Sequence, residues 1–332
     1  MKKILILLVL VLINSCSDDP APSQNNTDVT PVEQDTAWKI FTQTTGLPTS
    51  NIVAVATAED STVWVGTSQG LSRFDGKNWK LFNKSITGKP TDNITCLLYH
   101  NGILWVGTPA NGLLRYDGNQ WLQYNEGNSD IPGNKIIAID ADNTNNIWIA
   151  ASKGVGRLSN GLWWAHSLDS MHIISAITSI TAKTPLNIAV GTQQNGVVRL
   201  RGSQWEKIST NIYSTNAILS VASRDSTLWL GTDFRGIFKY TTGNSGTFFN
   251  ESNSVLPSNY VQLLKFDKDG RLWIGAGKGD ILGGLAYNIG SVWKSYVTTN
   301  SKLPDNIVQA IDVDNRGYAW IGTRKGLARL KI

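Results

Sequence analysis

The feature that most constrains this chain is a four-residue motif that returns seven times: "WVGT" at 64 and 105, "WIAA" at 148, "AVGT" at 189, "WLGT" at 229, "WIGA" at 273 and "WIGT" at 320. The intervals are 41, 43, 41, 40, 44 and 47 residues. A period of this length, rich in β-branched and aromatic residues, fits a blade of four short strands. Helical repeats of similar length would place apolar residues at i, i+3 and i+4. Here the pattern is alternation over short stretches between Gly, Asn and Asp turns. The period therefore predicts an all-β fold, a seven-bladed β-propeller of four-stranded antiparallel blades.

Blade one reads strand by strand: "NIVAVAT" (51–57) as innermost strand A, "TVWVGT" (62–67) as B, "LSRFDG" (71–76) as C and "KNWKLFN" (77–83) as outer strand D. Asp-Gly and Gly-Asn pairs, as in "RFDGKNW" and "RYDGNQW", supply the positive φ that a tight C–D hairpin needs. Twelve of the 13 tryptophans fall on two repeat positions, six on strand B (64, 105, 148, 229, 273, 320) and six on strand D (38, 79, 121, 163, 205, 293). An aromatic that recurs in blade after blade is expected to seat one blade on the next, since it buries a large area. Trp164 alone lies off the pattern; following Trp163 on a strand, it must point to the other face. Arg73, Arg115, Arg157, Arg199 and Arg329 recur on strand C, with Lys239 and Tyr287 in the other blades, and are given a structural role for the same reason.

The final repeat has strands A, B and C, and then the sequence stops at "GLARLKI". The first segment with strand character, "AWKIFTQ" (37–43), is a D strand with no A, B or C before it. It is expected to pair with the last strand C, so that both chain ends share blade seven and no exposed sheet edge remains.

Before the repeats, residues 1–15 ("MKKILILLVLVLINS") have two lysines, a short apolar run and a small residue before Cys16. The run is too short to span a bilayer, where roughly 20 residues are needed. It is read as a signal peptide, and Ser15-Cys16 resembles the bacterial lipoprotein box, which implies lipidation at Cys16 and a membrane partner through that anchor. Residues 16–37 are acidic and nearly devoid of apolar side chains, the composition of a disordered tether. The propeller is assigned to residues 38–332, which carry 28 basic and 20 acidic residues without a Lys/Arg block, so nucleic acid is not an expected partner. With Cys16 lipidated, Cys96 has no disulfide partner; it occupies a strand-A position where Ala or Ser stands in other blades.

"LWVGTPANGLLRYDGNQWLQYNE" (104–126) and "NIVQAIDVDNRGYAWIGTRKGLARL" (306–330) resemble the two-component-regulator propeller repeat. The resemblance runs over residues 38–332. It implies relation to the periplasmic ligand-sensing domains of hybrid histidine kinases, many from Bacteroidota and tied to polysaccharide use. Sensors of that family carry two propellers, a further β domain and a kinase, whereas the repeats here suffice for one propeller. "SDD" after Cys16 is similar to the surface-export signal of Bacteroidota lipoproteins, which implies an outer-membrane location.

Catalytic constellations are scarce. His100, His166 and His172 have no metal-ligand spacing, and neither metal nor cofactor is expected. "DKDG" (267–270) and "DVDNRG" (312–317) lack a full calcium-ligand set and read as A–B turns. Function is sought where the repeat breaks, on the end where B–C and D–A loops meet. The candidates there are Lys153 in blade three, Gln193 and Gln194 in blade four, and Asp233, Phe234 and Arg235 in blade five. Blade six adds Lys278 within a B–C connection longer than the others, and blade seven adds Arg324 and Lys325. Such a face suits a polar, preferably anionic glycan, or an envelope protein. The leading expectation is a monomeric, non-enzymatic binding propeller. The alternatives are a scaffold for an envelope or secretion machine and, more remotely, an enzyme like streptogramin lyase, a seven-bladed propeller whose family uses His, Glu and a divalent metal.

Overall fold

The structure, a computed structural model, describes residues 37–183, 188–208, 217–241, 246–279 and 282–332. The expected signal peptide, Cys16 and all but the last residue of the tether lie outside the described residues.

Seven sheets of four antiparallel strands form the fold, each ordered A-B-C-D in sequence except one. In that one, Trp38–Phe41 lies beside Gly326–Lys331, which continues to Tyr318–Thr323 and Val308–Val313. The register pairs Trp38 with Leu330 and Phe41 with Leu327. The first strand therefore supplies strand D of blade seven, and the ring closes as the repeat count predicts. In blade one, strand C ends at Phe74 and strand D begins at Trp79. The intervening Asp75 is spent on the turn, its carboxylate accepting the backbone N–H of Lys77 and Asn78.

The core consists of seven apolar clusters, one at each joint between neighbouring blades. Strand-B tryptophans are buried in six of them; Trp64, for example, meets Tyr116 of the next blade edge-on at 5.9 Å. Blade four has Ala189 where the others have Trp, and the joint to blade five is filled from the opposite side. There Phe238 is fully buried at a strand-C position occupied elsewhere by Ser72, Leu114, Gly156, Val198, Ala286 and Ala328.

The recurring strand-C cations have a physical partner. Arg73, Arg157, Lys239 and Arg329 stand directly across from Trp64, Trp148, Trp229 and Trp320 in register, with the charge 5.1–5.8 Å from the ring centre. Each such pair contributes about 0.5–2 kcal/mol, more as it is desolvated. In blade four, where the Trp is absent, Arg199 bonds Glu206 instead.

The A–B turns of blades three, six and seven hold the strand-B tryptophans from below. The indole N–H of Trp148, Trp273 and Trp320 donates to Asp142, Asp267 and Asp314 at 2.8, 2.9 and 3.0 Å. These carboxylates also accept the backbone N–H groups of their own turns. Burial opposes ionisation of Asp142, but the bonds from Trp148, Asn146 and Thr144 outweigh it and hold its pKa below the ordinary value. The aspartates of "DKDG" and "DNRG" thus serve turn and tryptophan together.

Candidate functional site

B–C and D–A loops emerge at the same end of the ring and are bonded to each other. Gln193 N–H donates to Ala176 O, Gly236 N–H to Asn259 O and Gly277 N–H to Tyr260 O, at 2.8–3.0 Å. Five B–C loops are closed by the threonine at the end of strand B: Thr67, Thr108, Thr192, Thr232 and Thr323 each donate their hydroxyl to a carbonyl three or four residues on, at 2.7–2.9 Å. The glycine that opens strand C is obligatory for the same geometry. At Gly112, φ is +80° and a Cβ would stand 2.0 Å from the carbonyl oxygen of Tyr124. Such loops form a rigid rim rather than loose coil.

The nine sequence-predicted residues all lie on this rim, as several separate groups. Lys153 pairs with Glu126 from the preceding D–A loop. Arg324 and Lys325 both reach the buried carboxylate of Asp305, at 3.6 and 3.2 Å. Gln193 and Gln194 are tied by backbone bonds and leave their amides exposed. At the joint between blades five and six, the Lys278 ammonium stands 5.2 Å from the Tyr260 ring centre. Burial, and then the charge of Asp233, raise the Tyr260 pKa above its ordinary value. Phe234 projects from the same B–C loop as Asp233 and is 69% exposed.

One expectation is corrected here. The long B–C connection of blade six is mostly ladder: strand B runs Leu272–Lys278 and strand C Leu282–Ile289, with Ala276, Gly277 and Lys278 paired to Gly284, Gly283 and Leu282. Glycines at Gly277, Gly283 and Gly284, all with positive φ, let the two backbones continue past the point where other blades turn. Lys278 therefore sits on an extended hairpin, not on an open loop.

The exposed large apolar side chains are distributed unevenly. Among the described residues, Ile86, Ile174, Phe234 and Val255 stand on the loop rim. Leu122, Leu162, Trp164 and Val292 stand on outer strands D, and none stands on the A–B or C–D turns. Ile174 is 86% exposed. Trp164 does point away from Trp163: it lies opposite Arg157 in register, and that guanidinium is 5.7 Å from one indole and 5.6 Å from Trp148. His166 packs edge-on against Trp205 at 5.6 Å, and burial, then Arg157, lower its pKa.

Sequence reasoning named no binding residue inside the central channel. In six blades strand A slips register after its first residue, as between Ile52 and Ala54, and the extra residue faces the axis. Val53, Ile137, Thr178, Leu219, Gln262 and Gln309 so line a cavity of about 260 Å³. Cys96 lines it too; its thiol sits beside Thr95 and Gly107, and burial pushes its pKa up to about 12. Toward the A–B end lie two further cavities of about 240 and 340 Å³, which share Leu97, Leu98, Lys265 and Phe266. None of the nine rim residues lines these three cavities. The available signal was a charge inside an apolar strand: Asp140 in "IIAIDA", Lys265 in "VQLLKF" and Asp312 in "VQAIDV". No helix among the described residues is long and apolar enough to cross a membrane, and no described cluster of His, Cys, Asp and Glu has the form of a metal site.

Residues 255–278 match the model of the two component regulator propeller family. In structure, the chain is similar to the extracellular domain of the hybrid two component system BT3049 from B. thetaiotaomicron, with a TM-score of 0.73 and 17% identity, over 89% of this chain and 41% of that one. It is similar to streptogramin B lyase, with a TM-score of 0.68 and 17% identity, over 89% of this chain and 97% of the lyase. It is also similar to PorZ, a surface component of the type-IX secretion system of Porphyromonas gingivalis, with a TM-score of 0.68 and 16% identity, over 86% of this chain and 47% of PorZ. The chain thus spans about two fifths of the extracellular domain it matches. No curated protein matches it in sequence.

Proposed function

From a two component regulator propeller repeat set in a closed seven-bladed ring, we propose that this chain is a non-enzymatic binding module of the cell envelope, lipid-anchored through Cys16, whose loop rim receives a glycan or a partner protein. The observation that carries this reading is the uneven exposure. Ile86, Ile174, Phe234 and Val255 stand on the rim that also carries Arg235, Lys278 and the Gln193–Gln194 amides, four others stand on outer strands D, and the A–B and C–D turns carry none among the described residues. An exposed aromatic beside charged and amide groups is the composition that stacks on a sugar ring or anchors a protein hot spot. Five hydroxyl-closed B–C loops hold their backbone in place before binding, which lowers the ordering cost and favours affinity.

His172 begins the segment after a single 3-10 turn, and no described acid or histidine joins it in a metal-holding cluster. The test is a glycan array alongside envelope pull-down, each repeated with Phe234→Ala. Capture of glycan or of one stoichiometric partner, weakened about tenfold or more by Phe234→Ala at unchanged melting temperature, is expected. Metal-dependent turnover of a cyclic ester would overturn the non-enzymatic reading.

A further inference from the structure

The channel's A–B end holds two charges that the fold leaves half used. Asp312 is saturated: one carboxylate oxygen accepts Thr57 N–H at 2.7 Å and its hydroxyl at 3.0 Å, and the other accepts Val313 N–H at 3.0 Å and the Lys265 ammonium at 2.8 Å. Lys265 has three donors, and this pair engages one of them. Two N–H groups thus remain for the cavities that Lys265 lines. Asp140, on strand A of blade three, accepts Ala141 N–H at 2.9 Å on one oxygen and Ala182 N–H at 2.7 Å on the other. Each oxygen keeps a lone pair, and among the described residues no Lys, Arg or His lies within ion-pair distance of it.

Lys265 and Asp140 line the same cavity of about 340 Å³, near the low end of small-molecule pockets, roughly 300–1,000 Å³. Ile139, Ile180, Val221, Leu264 and Phe266 supply the apolar part of a mixed wall. Lys183 and His100 also line this cavity; His100 bonds Asn145 at 3.1 Å. The hydroxyls of Thr181 and Ser223 are bonded to each other at 2.9 Å. A small anion alone would answer Lys265 and leave Asp140 without a charged partner; a small cation alone would answer Asp140 and leave the two spare Lys265 N–H groups unused, Lys265 itself being balanced by Asp312. Among charged ligands, one that carries both charges answers both without changing the net charge of a partly buried site.

We propose that the A–B end of the channel binds a small zwitterion of amino-acid size, its carboxylate on Lys265, its ammonium on Asp140 and its side chain against the apolar wall. This site is separate from the loop rim, so its failure would leave the rim reading standing. The test is isothermal titration of the full chain with the twenty free amino acids, then with the N-acetyl and C-amide forms of each binder. Saturable binding of at least one free amino acid is expected, weakened about tenfold or more by either cap, because each cap removes one charge-assisted hydrogen-bond partner. Lys265→Met and Asp140→Asn, checked for an intact cooperative melt, are each expected to weaken binding to a similar degree. The capped ligands test the idea on the unaltered protein if a variant fails to fold. No binding by any amino acid at millimolar concentration, or binding indifferent to both caps, would overturn the proposal.

Discussion

Replacing Phe41 with alanine probes ring closure at a single side chain. Phe41 is 3% exposed and sits on the strand that the chain start lends to blade seven. Its ring stacks on Trp320 of the same blade at 5.6 Å and meets Phe74 and Trp79 of blade one edge-on at 5.3 and 5.7 Å. It therefore joins blade seven to blade one as well as filling a core. Truncating a buried phenylalanine costs about 3–5 kcal/mol, the lost burial plus the cavity left behind. With an unfolding entropy near 2.1 cal/mol/K per residue, a domain of about 300 residues loses roughly 5–8 °C of melting temperature for that change. The assay is calorimetry of Phe41→Ala beside Lys207→Ala, an exposed strand-D control expected to stay within about 0.5 kcal/mol. Deleting residues 37–43 should lower stability further, since strand C of blade seven would become a bare edge. A Phe41→Ala melt within about 2 °C of the parent would refute closure by this strand as a source of stability.

Gly112→Ala should destabilise by at least about 1–2 kcal/mol from left-handed backbone alone, and by more from the collision with Tyr124 O, read by urea unfolding. Asp142 has a folded pKa below its unfolded value, so its contribution is present above about pH 4 and is lost as pH falls through the folded pKa. Urea melts from pH 7 to pH 2 should therefore show the stability gap between the parent and Asp142→Asn narrowing below about pH 4. A gap that widens on acidification would contradict this sign. The Cys96 thiol, with its pKa near 12, should resist an aromatic disulfide reagent at pH 8 in the folded protein and react fully in denaturant.

Whatever recurs from blade to blade could be read from the residues alone, because repetition converts one local argument into several. The strand-B tryptophans, the structural role of the strand-C cations and the displaced D strand are all of this kind, although the pairing of those cations with the tryptophan rings was seen only in the structure. What could not be read depends on neighbours far along the chain. The role of Asp140 rests on Ala182 in the next blade, and that of Asp312 on Thr57, 255 residues away. Ala189 looks like a defect until Phe238 is seen to fill its joint from blade five. The glycine-rich connection of blade six reads equally as loop or ladder, since glycine alone permits both. The rim residues were found because they break the repeat, but their ion pairs with Glu126 and Asp305 reach into adjoining D–A loops and leave no trace in local spacing.

The loop rim as binding face is the central claim, and hydrogen–deuterium exchange of the captured complex tests it most directly. Once an array or pull-down has supplied the glycan or partner, new protection is expected at the B–C loops around 153, 193–194, 233–236 and 324–325, and in the D–A loops bonded to them. Protection confined to the A–B turns or to the outer D strands, with the rim unchanged, would contradict it.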